Sequence, residues 1–111
     1  MLMTPPWSVE YYQSEDGAIP FLDFVDRLTT LEARAECYVL IELLEKRGGT
    51  TDCDERYLTH ANGLREIQGQ HVRLFYVCEP DLLIVIIDGL FPGQAGELFD
   101  NILRKVEDYA D

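Results

Sequence analysis

Apolar and polar positions alternate along this chain in a pattern that changes period several times, and each change marks an element. Residues 82–90, LLIVIIDGL, are an almost unbroken apolar run, which fits a central strand covered on both faces. Before it, residues 71–77 are β-branched and aromatic, and residues 64–68 form a short apolar-alternating stretch. Gly69-Gln70 has the Gly-first pattern of a two-residue hairpin turn, and Glu79-Pro80-Asp81 supplies a second turn, so an antiparallel meander of three strands is predicted. Near the start, Trp7, Val9 and Tyr11 alternate as in a strand with one buried face, predicted to join the meander as a fourth.

The period then becomes helical. Pro20 suits the first position of a helix, and Phe21, Phe24, Val25 and Leu28 fall at i, i+3, i+4 and i+7. Thr29 with Glu32 has capping-box spacing, so a second helix should start near Thr30, bury Ala33, Cys37, Leu40, Ile41 and Leu44, and stop at Gly48-Gly49. Lys46 and Arg47 complement its carboxyl end. Residues 50–62 show neither period and read as a polar connector, and Pro92-Gly93-Gln94-Ala95-Gly96 breaks the chain again. A closing helix over residues 97–109 would bury Leu98, Phe99, Ile102, Leu103 and Val106. The expectation is an α+β domain spanning residues 1–111, order β-α-α-β-β-β-α, with helices packed on a twisted antiparallel sheet of about four strands.

Composition narrows the function classes. With 21 acids against 9 Lys and Arg, the formal charge is −12, which opposes approach to a polyanion, and no segment gathers more than two adjacent cations. Cys37, Cys53 and Cys78 are odd in number and widely spaced, indicating neither a disulfide framework nor a zinc site. The first residues lack the basic start and apolar core of a signal peptide, and no apolar run approaches the roughly 20 residues of a spanning helix, so a soluble cytoplasmic protein is expected. Phosphate loops, nucleophile elbows and HExxH motifs are absent, and no cofactor or metal is indicated. Cys53 stands among Asp52, Asp54 and Glu55, which disfavours a thiolate, and His60 reads as a solvated loop residue.

Several segments carry a resemblance. Residues 7–12 (WSVEYY), 19–24 (IPFLDF), 63–67 (GLREI), 72–76 (VRLFY) and 104–109 (RKVEDY) resemble, in order and spacing, the RelE/HigB-like toxins of bacterial toxin–antitoxin systems, especially their phage-derived branch. The resemblance implies a RelE-like fold, ribosome-dependent cleavage of messenger RNA in active members, and an antitoxin partner. This chain departs from the family pattern where cations are expected. Gln68 stands in place of an Arg ending a strand, and Asp88-Gly89-Leu90-Phe91-Pro92-Gly93 replaces a segment that carries a His and one or two Lys; Arg73 and Tyr109 remain of the expected type.

Cleavage by the 2′-OH of RNA needs a proton acceptor, cations for the charged phosphorane and an acid for the leaving oxygen. A two-residue turn would pair Gln68 with His71 and Glu66 with Arg73. In an active protein Arg73 would clamp phosphate, His71 would carry the proton, and Tyr109 or Arg65 would assist. Alternatively Glu66 and Arg73 form an ordinary cross-strand ion pair worth under about 1 kcal/mol, which the acidity of the chain favours. Two readings follow. The chain is a toxin-family protein with weak or lost catalysis and an antitoxin-like partner, or an acidic non-catalytic module that binds another, basic protein; ribosome and mRNA enter only if catalysis survives, and no membrane is involved. Convergence of Arg65, His71, Arg73 and either Arg104 or Lys105 in one positive concavity would mark the active case. Asp88, inside the apolar run, would need a donor such as an Arg or a Tyr hydroxyl if buried.

Overall fold

The computed structural model describes residues 6–48, 57–60, 63–92, 94 and 96–110. Its elements are β1 (Ser8–Tyr11), α1 (Pro20–Asp26), α2 (Leu31–Arg47), β2 (Tyr57–Thr59), β3 (Arg65–Gln68), β4 (Arg73–Glu79), β5 (Leu83–Leu90) and α3 (Glu97–Ala110). The class is α+β: a mixed five-stranded sheet in the order β1-β5-β4-β3-β2, with three helices.

Two features correct the four-strand antiparallel expectation. β1 does join the sheet, but parallel to β5, with Val9 opposite Ile84 and Tyr11 opposite Ile86. Between β1 and β5 the chain runs through α1, α2 and the antiparallel strands β2, β3 and β4, a long excursion that lets the two strands lie parallel, which a hairpin cannot do. The connector also contributes an edge strand, β2, antiparallel to β3. Only three residues long, it was too short to show a period. Gly49, Cys53, Asn62, Gly93 and Ala95 lie outside the described residues, so the expectations attached to them do too.

The sheet divides the interior into two layers. Ile67, Leu74, Tyr76, Ile84 and Ile86 face α1 and α2, meeting Phe21, Phe24, Ala33, Cys37, Leu40 and Leu44. Leu64, Phe75, Val77, Val85 and Ile87 face α3, meeting Ile102 and Val106. With a layer on each side, residues 84–90 are buried throughout, which accounts for their lack of alternation. α1 starts with Pro20 and carries no side-chain cap, so it is held by packing; Phe24 seats on Gly89, where a Cβ would lie 2.5 Å from its ring. The cap of α2 is Thr30, whose hydroxyl accepts from the Ala33 N–H at 3.2 Å, not Thr29. Gly48 forms its C-cap, behind Lys46 and Arg47 in the last turn.

β5 holds one residue more than β4 opposite it. Phe75 pairs with Asp88 and Tyr76 with Ile86, leaving Ile87 as a bulge. Strict alternation would aim Asp88 towards α1 and α2; the extra residue aims it towards α3 instead.

Candidate functional site

The β3–β4 hairpin does not close with two residues. Gln68, not Glu66, stands opposite Arg73, and residues 69–72 form the connection. A carboxylate from α2 fills that loop: Glu36 accepts the backbone N–H groups of Gln70 (2.9 Å), His71 (2.7 Å) and Val72 (2.9 Å). His71 is therefore an exposed loop residue, not a strand residue beside Arg73.

On the α3 face, Glu66 and Arg73 lie diagonally across the hairpin and still meet. Arg73 donates from Nε to Glu66 Oε2 at 2.5 Å and from Nη2 to Oε1 at 3.2 Å, while Nη1 donates to the carbonyl of Gln94 at 2.8 Å. All three guanidinium nitrogens are engaged, and Cζ lies 5.3 Å from the centre of the Phe75 ring. The Glu66 side chain is 0% exposed and that of Arg73 is 19% exposed, so the small energy of a surface pair does not apply; removing either partner would strand a desolvated charge.

His60 completes this network and corrects its assignment as a solvated loop residue. It follows β2, its backbone N–H donates to the Leu64 carbonyl at 2.8 Å, and its Nε2 lies 2.7 Å from Glu66 Oε1. Against an ionised carboxylate that nitrogen carries the hydrogen. The ring is half-buried against Phe75 and edge-on to Phe99, with centroids 6.0 and 4.9 Å away. Gln68 Nε2 donates to Glu66 Oε2 at 3.0 Å. Burial works to raise the Glu66 pKa, but the donors Arg73, Gln68 and His60 outweigh it and hold the carboxyl below its ordinary range. A carboxylate so held has no readiness to accept a further proton.

The remaining candidates are dispersed. Arg65 stands opposite Tyr76, on the α1 and α2 face, so the sheet separates it from Arg73. Tyr109 lies near Glu79 at the far end of β4, about 20 Å of extended chain from Arg73. Burial and then the Glu79 carboxylate push its phenol up, away from use as an acid. Lys105 donates to Asp88 Oδ2 at 2.7 Å, and Asp88 Oδ1 accepts the Gly89 N–H at 2.8 Å. Asp88 is thus buried with a donor, a lysine rather than the expected Arg or Tyr. Arg104 is exposed on α3.

A cleft of about 540 Å³ opens beside that pair, lined by Tyr12, Asp23, Asp26, Arg27, Asp88 and Lys105 among others. Its charged side chains are mostly acidic, and the Tyr12 hydroxyl donates to Asp108, a bond that with burial pushes the phenol up to about 12. Burial and then Glu36 push the Cys37 thiol up to about 11, the reverse of an activated nucleophile. Among the described residues no group of three or more His, Cys, Asp or Glu is arranged to hold a metal ion, and no helix is long and apolar enough to cross a membrane.

The arrangement thus brings Glu66, Arg73, Gln68 and His60 together and leaves Arg65, His71 and Tyr109 apart. His60 and Glu36 were hidden from sequence reasoning because His60 reaches Glu66 only through the pairing of β2 with β3, and the partners of Glu36 begin 34 residues further along the chain. No family model matches the chain, and no curated protein matches it in sequence.

Proposed function

We propose that this chain is a RelE/HigB-like toxin-family protein whose retained work is binding another protein, with mRNA cleavage weak or lost. The observation that carries this reading is the state of Arg73, the one family-type cation of the sheet: Glu66 neutralises it and Gln94 occupies its remaining nitrogen. A phosphate clamp needs an uncompensated cation with free N–H groups aimed at the anion. Dispersal of Arg65, His71 and Tyr109 leaves Arg73 no cationic partner from the proposed set, and the −12 charge of the chain opposes a polyanion at long range. The resemblance in segment order and spacing supports the scaffold; its cation losses at Gln68, Pro92 and Gly93 support the lost chemistry.

The test is a ribosome-dependent mRNA cleavage assay with growth arrest on induction, wild type beside Arg73→Ala. The expected result is background cleavage by both. Robust cleavage abolished by Arg73→Ala would restore the nuclease reading at this site, and cleavage indifferent to the substitution would place the chemistry elsewhere.

A further inference from the structure

The three most exposed large apolar side chains among the described residues all stand on α2: Leu31 at 79%, Tyr38 at 70% and Val39 at 54%. With exposed Ala35 they fall at i, i+4, i+7 and i+8, one outward stripe along about 12 Å of helix. The opposite side of α2, from Ala33 to Leu44, is already buried against the sheet. α3 differs: its apolar Phe99, Ile102 and Val106 turn inward while Asp100, Arg104 and Glu107 turn to water. The outer stripe is thus a second apolar surface of α2, and among the described residues nothing packs on Leu31, Tyr38 or Val39 to bury them. Tyr11, 40% exposed on the edge strand β1, extends the patch; Tyr38 and Glu45 stand close enough to affect its phenol.

Charge decides the occupant. On the outer face Glu42 and Lys46 cancel one another as an ion pair and Arg34 donates to the Leu28 carbonyl, which leaves Glu32 and Glu45 beside the stripe in a chain of net charge −12. A second copy would bring another −12 charge against this one. A cationic partner gains from the same field. The i, i+4 ridge fits the groove of a crossing helix.

We propose that the outer face of α2, centred on Leu31, Ala35, Tyr38 and Val39, docks a basic amphipathic helix of another protein. The inference rests on the protein-binding reading for its purpose and gives that partner its chemistry. The stripe offers four apolar residues, few beside the roughly 20–30 residues per side of a standard stable interface, so the contact is transient and weakens with salt.

The probe is a synthetic helical peptide with Leu along one face and Lys along the other, titrated into the ¹⁵N-labelled protein and followed by NMR and calorimetry. The expected shifts centre on residues 31–39 and Tyr11. Tyr38→Ala/Val39→Ala should weaken binding at least about tenfold. Leu98→Ala, an exposed apolar position on α3, should leave it unchanged, and all variants should keep the wild-type melting temperature. The matching Leu/Glu peptide should not bind. Overturning results are absence of binding by the Leu/Lys peptide, shifts centred elsewhere, or affinity indifferent to the double substitution. Sedimentation showing a dimer that the double substitution dissolves would overturn it in favour of a second copy. Robust mRNA cleavage in the separate assay would sink the functional reading while leaving this surface to be judged on the titration alone.

Discussion

The carboxylate of Glu36 occupies the space that a side chain at Gly69 would fill: a Cβ built there would lie 2.1 Å from Glu36 Oε1. Three successive N–H groups of the following loop converge on the same carboxylate, so a long-range contact from α2 fixes how the β3–β4 hairpin closes. Glu36→Ala would leave those donors to water or without partners and is expected to cost about 1–3 kcal/mol in urea unfolding. Gly69→Ala should cost a similar amount by displacing the carboxylate, and the double variant should cost less than the sum. Additive losses would show that the two positions do not act through one contact.

This relationship explains why the turn departs from its local signature. Gly69-Gln70 carries a local signature for a two-residue closure, and that register would have set Glu66 directly opposite Arg73. Local turn chemistry yields here to a partner 34 residues earlier in the chain, which no nearby residue announces. The helical stripes were legible because each is a repeating contact with the sheet; Phe21, Phe24, Cys37, Leu40, Ile102 and Val106 are buried as their spacing predicts, whereas Leu98, expected on the same stripe of α3, is 43% exposed. The parallel direction of β1 was not, since alternation fixes a strand's faces and says nothing of its sense. Within the candidate site, the Glu66–Arg73 pair was legible and its depth was not. Burial of Glu66 depends on α3 closing over the strand, and His60 enters only because β2 exists.

Glu66 makes stability depend on pH in a defined direction. Its folded pKa is depressed below the ordinary value of 4.5, so the stabilisation is fully present above 4.5 and is lost as pH falls through the lowered folded value. Glu66→Gln should remove that acid-side loss and lower stability at neutral pH, by about 3 kcal/mol, the lower end for breaking a buried pair, because the Arg73 side chain keeps 19% exposure. Urea midpoints from pH 7 down to pH 3 would measure both. An unchanged acid limb in the variant would show that other carboxylates control acid unfolding.

The bulge at Ile87 makes the last expectation, because it is what lets Asp88 reach α3 at all. Asp88 is 7% exposed in the middle of an apolar strand, and Lys105 is its cation, the contact that also ties α3 to the sheet. Removing the ammonium alone by Lys105→Met leaves a buried carboxylate with only the Gly89 N–H, and should cost about 2–3 kcal/mol: breaking a buried pair costs more, but Lys105 retains partial exposure. Asp88→Asn keeps an acceptor for Gly89 and frees Lys105 to reach water, so it should cost less. In the double variant neither charge remains, and stability should recover part of the way, giving a coupling energy of about 1–3 kcal/mol. The same variants separate structure from function. Lys105 is one of the cations that a nuclease reading would recruit, and freeing it by Asp88→Asn places an unpaired ammonium beside the cleft. If the pair serves only to hold α3, Asp88→Asn should leave mRNA cleavage at background while lowering the melting temperature modestly. A gain of ribosome-dependent cleavage in Asp88→Asn would mean that Asp88 masks a working cation, and that the lost chemistry is suppressed rather than absent.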